Sequence, residues 1–277
     1  MTPSTQILRH STKTYTPSLL HLLSLYHHPQ SYVAVMRTLG LLGGMTFEST
    51  ALYYDIINRH VRSQLGGRHS ARLLLYSVDQ EPMVQHAMAG RWDKFADVFV
   101  KAAENQKAGG AEAIVMCASL AHKVADDVEN AVGLPLLHVA DFTARGILDK
   151  GLNKVALLGT AAVMEGDFMR GRIQKRFGIE VLIPDEEDRK RINDGIVNEL
   201  TTGKVSDRTK AFLVSMAEDL VGQGAQGLIL GSTDLGFVIK EEDVGVPLFD
   251  TALLHARGVA AWAIEDEVNV ERDEKKD

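Results

Sequence analysis

Four short turns of small and hydroxyl residues hold most of the chemistry open to this sequence: Gly43-Gly44-Met45-Thr46, Cys117-Ala118-Ser119, Gly159-Thr160-Ala161 and Gly231-Ser232-Thr233. Small residues before a helix leave backbone N–H groups uncovered, and such groups, with the helix dipole, hold carboxylates or phosphates. Gly, Ser and Thr are also ordinary helix caps. It is the convergence of four turns on one cleft that would make a ligand site. Nucleophiles are sparse. Cys117 is the sole cysteine, which excludes an internal disulfide and any multi-cysteine metal site. On an expected strand it points away from Ala118, into the helix layer, where a free cysteine packs as a small hydrophobe. The Ser232 hydroxyl is a poor base unless a His or Lys activates it. His122 is either such a base or a capping and orienting group. Lys204, in a Gly-Lys turn, reads as solvated surface when taken alone.

These turns need elements to aim them. Seven short apolar runs read as buried strands: 38–43, 72–78, 113–117, 154–159, 180–184, 227–231 and 246–250. Between them, 48–65, 91–108, 141–150, 164–177, 187–200 and 210–222 carry apolar residues at the three and four spacing of helices. Asp185 to Asp188 followed by Arg189 to Arg191 is the charged start of a helix, acids first as the dipole favours. The alternation predicts mostly parallel sheets with helices on both faces and ligands outside the carboxyl ends of the strands. Residues 39–45 lack GxGxxG spacing, so no dinucleotide fingerprint is present.

The two halves repeat. Leu41-Leu42-Gly43-Gly44 answers Leu157-Leu158-Gly159-Thr160; GAEAIVMCAS from Gly110 answers GAQGLILGST from Gly224; LPLLHVADFTARG from Leu134 answers VPLFDTALLHARG from Val246. The offsets are 116, 114 and 112 residues, which pairs Ala118 with Ser232. Three segments in order at one spacing predict two similar Rossmann-like α/β domains about a pseudo-two-fold axis, with one cleft between them. The expected first domain takes residues 36–137 plus about 246–264, and the second takes 138–245.

With 277 residues, 45% hydrophobic and 24% charged, the chain has the composition of a soluble globular protein. A formal charge of −7 argues against nucleic acid as partner. Without an apolar run of 18 residues, no membrane span is expected. The single cysteine suits a reducing compartment, which makes the cytoplasm the expected location. No acidic residue precedes Glu48, and the first 35 residues carry Arg9 and Lys13 among Ser, Thr and His. That leader is similar to a mitochondrial presequence, the alternative being an upstream extension with the useful start at Met36. Its His10, His21, His27 and His28 would bind a metal only if ordered. Residues 265–277 read as a solvated charged tail.

Several ordered segments resemble the cofactor-independent aspartate/glutamate racemase family, in the branch active on acidic amino acids. They are GGMTFEST from Gly43 with Tyr53, Tyr54 and Asn58; GRHSARLLLYSVD from Gly67; His122-Lys123; Leu157 to Thr160; IPDEED from Ile183; NELTTGK from Asn198; and Phe249 to Thr251 with His255. The resemblance implies an enzyme without pyridoxal phosphate, other cofactor or metal, most simply a homodimer, that moves the α-proton of an acidic amino acid or related small carboxylate between two opposed cysteines. The cysteine positions fall on Ala118 and Ser232. Ser119-Leu120 stands in place of Asn-Thr after the first, and Val163 in place of a threonine. The implied substrate contacts are Met45, Ser119, Leu120, Thr160, Val163, Lys204 and Thr233, with Ser232 and His122 left as the groups able to handle a proton. Three functions follow: a racemase with a weakened proton-transfer pair, a relative that binds its ligand without turnover, or a lyase or decarboxylase that needs one protonating residue.

Overall fold

The computed structural model describes residues 36–274, so the leader with its histidines, and residues 275–277, lie outside the described residues. The first half runs β1 (Leu39–Gly43), α1 (Phe47–Leu65), β2 (Leu73–Ser77), α2 (Gln80–Met88), α3 (Trp92–Ala108), β3 (Ala113–Met116), a 3-10 turn (Leu120–Val124), α4 (Ala125–Val132) and α5 (Val139–Asp149). The second runs β4 (Lys154–Leu158), α6 (Ala161–Glu165), a π turn (Asp167–Gly171), α7 (Arg172–Phe177), β5 (Glu180–Leu182), α8 (Glu186–Asn198), a 3-10 turn (Leu200–Thr202), α9 (Asp207–Gly222), β6 (Leu228–Leu230), α10 (Leu235–Val238), α11 (Glu241–Val244), β7 (Leu248–Asp250) and α12 (Thr251–Glu274).

Both sheets are parallel. The first has the order β2-β1-β3, extended past β3 by a bridge from Ile114 to Leu136, and the second has the order β5-β4-β6-β7. The Ile114–Leu136 bridge stands where Leu228 pairs Leu248, so the sequence repeat is also a topological one. Gly110 and Gly224, 114 residues apart, end α3 and α9 in the same left-handed region at φ 93° and 96°, which a side chain would strain. Strand alternation splits the first core in two. Leu39, Leu41, Val115 and Cys117 face Ile57, Val61 and Ala256, while Leu42, Ile114 and Met116 face Phe95, Phe99 and Ala102.

The last helix of each half crosses over. Val139, Ala140, Ala144 and Ile147 of α5 join the core of the second sheet. Ala252, Ala256, Val259 and Ala260 of α12 join the core of the first. Where the two helices meet, Gly146 faces the Leu254 side chain and Gly258 faces the Phe142 ring, a reciprocal pair of contacts 112 residues apart in both members. This is the contact pattern of a pseudo-two-fold axis.

Four sequence expectations need adjusting. Residues 246–264 do not go together to the first domain, because β7 hydrogen-bonds to β6 of the second sheet and only its helix returns to the first. The helix expected over 164–177 breaks at Gly166, which is extended at φ −70° and ψ 131° and leaves no room for a Cβ beside Phe168. Helix α2, capped by the Asp79 carboxylate accepting from the Glu81 N–H, was not expected at all. The tail from Glu265 is helical backbone as far as Glu274, since its Glu, Arg and Val residues include no Gly or Pro to stop α12.

Candidate functional site

Parallel pairing aligns the carboxyl ends of the strands, and the four turns follow them: β1 into Gly44-Met45, β3 into Cys117-Ala118, β4 into Gly159-Thr160 and β6 into Gly231-Ser232. One hydroxyl ties the two sheet ends together. Ser119 Oγ donates to Thr251 Oγ1 at 3.3 Å, and Thr251 Oγ1 donates to the carbonyl of Leu230 at 2.8 Å. Ala118 and Ser232, neighbours in sequence of the two ends of this bridge, are both half-buried.

At the β6 end, Ser232 Oγ donates to Asp234 Oδ2 at 3.1 Å. Burial pushes the Asp234 carboxyl above its usual range despite that bond, and Glu48 at the start of α1 adds to the rise from the opposite sheet. Asp250, at the end of β7, is likewise raised by burial, although it accepts from the Leu253 N–H at 3.0 Å. A raised carboxyl is a stronger base when ionised and a usable acid when not. At the β4 end, the Thr160 hydroxyl is buried and has no protein partner, while Ala161 N–H is taken by Asn193 Oδ1 at 3.1 Å.

The side of the first sheet is more closed. Gly44 N–H donates to Thr50 Oγ1 at 2.9 Å, so that turn's donor is consumed within the protein. Gly44 itself is left-handed at φ 95°, and a Cβ there would strike the Val78 backbone. Met45 is buried with Leu42, Met83 and Phe95, and its side chain serves the core.

His122 is 1% exposed and fully engaged. Its Nε2 accepts from the Val139 N–H at 3.2 Å, which places the proton on Nδ1, and Nδ1–H donates to the Ala118 carbonyl at 3.0 Å. With both nitrogens committed, it positions the Ala118 turn and has no lone pair for a substrate proton. Burial also pushes its pKa down to about 4. It packs against His138 and His255, with ring centroids 4.6 and 5.4 Å away. His255 Nε2–H donates to the Leu137 carbonyl at 2.6 Å and its Nδ1 accepts from the Tyr53 hydroxyl at 2.9 Å.

The remaining expected positions divide. Thr160, Ser119, Ser232 and Thr233 stand at the strand ends, half-buried. Val163 does not offer surface to a ligand: it is 1% exposed and fills the space between Gly159 and Gly231, where its methyls stand in for the missing Cβ atoms. Leu120 packs on the core behind β3, and Lys204 is exposed in the turn after the 3-10 segment at Leu200–Thr202, with Gly203 left-handed before it. Cys117 lies in the core that holds Leu41 and Tyr53, whereas Ala118 packs toward the opposite one, and burial pushes the thiol well up. Sequence reasoning missed Thr251, Asp234 and Asp250. The signal for Thr251 and Asp250 was present in the Phe249-Asp250-Thr251 motif, but nothing in the pattern told that the Thr251 hydroxyl bridges the sheets. Among the described residues, no three or more His, Cys, Asp or Glu side chains are grouped to hold a metal ion, and no helix is long and apolar enough to cross a membrane.

Comparison with known proteins gives this arrangement its relatives. The crystal structure of a Yersinia pestis protein assigned as an Asp/Glu racemase superimposes with a TM-score of 0.78 at 45% identity, covering 83% of this chain and 100% of that one. An aspartate racemase homologue from Pyrococcus horikoshii OT3 gives 0.70 at 32%, covering 82% and 99%. The broad specificity amino-acid racemase RacX of Bacillus subtilis (strain 168) is 20% identical over 226 residues, 80% of this chain and 96% of the relative. The family model for Asp/Glu/hydantoin racemase matches residues 42–259, from the end of β1 to the middle of α12, and so takes in both sheets, all four strand-end turns and the Thr251 bridge. The chain belongs to the Asp/Glu/hydantoin racemase family.

Proposed function

We propose that the protein binds an acidic amino acid or a related small carboxylate between the two sheet ends and handles its α-proton from one face only, through Ser232 and Asp234. The hydrogen bond from Ser232 Oγ to Asp234 Oδ2 carries this reading. A serine hydroxyl needs a base to accept its proton, and the carboxylate beside it, made more basic by burial, is that base. Asp234 takes the Ser232 proton as Ser232 Oγ takes the α-proton; the hydroxyl and carboxyl exchange these protons with solvent before the transfer reverses, so the carbon is reprotonated on the same face with a proton from solvent. The buried, unpartnered Thr160 hydroxyl is available to a substrate carboxylate. On the opposite side Ala118 carries no group that ionises. A proton removed and replaced on one face leaves configuration unchanged, so exchange with solvent outruns racemisation. The relatives named for aspartate and glutamate make those two amino acids the first ligands to try.

The test is incubation with each acidic amino acid in deuterated water, following the α-proton by NMR and configuration by chiral chromatography. Deuterium incorporation with little inversion, lost in Ser232→Ala and reduced in Asp234→Asn, is the expected result. Rapid inversion that survives Ser232→Ala would overturn the assignment. Tight binding without exchange would favour the ligand-binding reading, for which the alanine at position 118 is the specific observation.

A further inference from the structure

A cavity of about 480 Å³ is lined by none of Ser119, Thr160 or Ser232, although His122, which holds the Ala118 carbonyl, is in its wall. Its walls come from both halves: His122 and Lys123 from the 3-10 turn after β3, His138 from the start of α5, and Arg172, Lys175 and Arg176 from α7. Asp126 and Asp167 complete the lining. Of the cationic side chains, Arg172 is held in place, while Lys175 and Arg176 are largely exposed. Asp141 accepts from Arg172 Nε and Nη2 at 2.6 and 2.8 Å and from Arg176 Nη1 at 3.3 Å, which leaves Arg172 Nη1 and the remaining donors of Arg176 unused by that carboxylate. Lys175 pairs with Asp167, and Lys123 sits 4.5 Å over the Trp92 ring. Lys123, Arg172, Lys175 and Arg176 outnumber Asp126, Asp141 and Asp167, so the wall carries net positive charge.

The decisive group is His138, 4% exposed. Its Nδ1 accepts from the Ala140 N–H at 3.1 Å and caps α5, so its proton sits on Nε2. That donor has no hydrogen-bond acceptor among the described residues, although the side chain lines the cavity. Nε2 opens onto the cavity and is not sealed in the core, so it can donate to a molecule there. We propose that the cavity binds a small phosphorylated anion, with His138 Nε2–H as a donor from its wall and the Arg172–Arg176 pair as its guanidinium clamp. Several separate donors on a wall of net positive charge suit a small dianion, and the malonate arm below separates phosphate from carboxylate.

Titration of the full chain with inorganic phosphate, followed by calorimetry and by 31P NMR line shape, tests this. Saturable binding is expected, weakened about tenfold or more by Arg176→Ala, which removes charge-assisted donors. His138→Ser keeps a helix cap while removing the Nε2 donor and is expected to weaken phosphate similarly. Ser232→Ala is expected to leave phosphate binding unchanged, which separates this cavity from the strand-end site. Absence of saturation, insensitivity to both variants, or malonate binding equally well with the same sensitivity to Arg176→Ala would each overturn the proposal.

Discussion

At the scale of single residues, positions 118 and 232 set what proton chemistry the two sheet ends can do. Alanine offers no proton, and a thiol, titrating near ~8.5 and tunable toward neutrality, would both accept and donate one. Ala118→Cys combined with Ser232→Cys is therefore expected to raise aspartate or glutamate racemisation above the natural protein's, read by chiral chromatography. The gain is expected to stay partial, since Leu120 packs on the core and offers no polar group, and a displacement of ~1 Å can cost ~10²-fold; no gain at all in a folded double variant would place the defect elsewhere in the cleft. His122 makes a contrasting case. His122→Ala strands the buried Val139 N–H and the Ala118 carbonyl, a loss of roughly 2–4 kcal/mol for two unsatisfied groups. The loss appears as a lower urea midpoint, and unchanged stability would contradict the double anchor. Residue identities at the strand ends were legible in the sequence because type and spacing carry them. Which of those residues lie buried was not: Val163 occupies its slot because Gly159 and Gly231 lack side chains, a three-residue fit that no local pattern encodes.

Elements were more legible than contacts. Strand–helix alternation and the internal offsets gave the parallel sheets, since hydrophobic period and repeat length are local properties of a chain. The destination of the last helix of each half was hidden, because an apolar helix face looks the same whichever sheet it meets. The crossing of α5 and α12 also yields a sharp contrast between two glycines. Gly258→Ala drives a methyl into the Phe142 ring and is expected to cost ~1–3 kcal/mol by overpacking. Gly146→Ala meets only the tip of Leu254, at 3.0 Å, and gains up to ~1 kcal/mol of helix propensity, so it should be near neutral. Equal effects of the two substitutions on the urea midpoint would be inconsistent with this crossing.

Across the whole molecule, three buried histidines meet where the halves join, and burial lowers the pKa of each. Unfolding frees them to protonate near their ordinary ~6.5, while His122 in the folded state waits until about 4. The unfolded chain thus binds more protons between these values, and stability must fall as pH falls through that window. Their neighbour Arg172 stays charged throughout it, and Tyr53 stays neutral. The raised Asp234 and Asp250 carboxyls act in the opposite sense, taking protons first in the folded state, and soften the acid end. From pH 7 to pH 5 His122 alone is expected to take away roughly 2 kcal/mol, with His138 and His255 adding in the same direction, measured by urea unfolding at each pH; a flat profile would mean the histidines are reachable by solvent. The crossed helices bear on how the chain becomes a protein at all. When a ribosome has made β1 through β3, the face carrying Leu39, Leu41 and Val115 is covered by α1 alone, and the part of the cover that Ala252, Ala256, Val259 and Ala260 of α12 provide is still to come. The half synthesised first is therefore completed only by the last of these helices, and a nascent chain keeps part of that apolar wall open while the second half is made, exposed to whatever chaperone or neighbouring chain reaches it before α12 does.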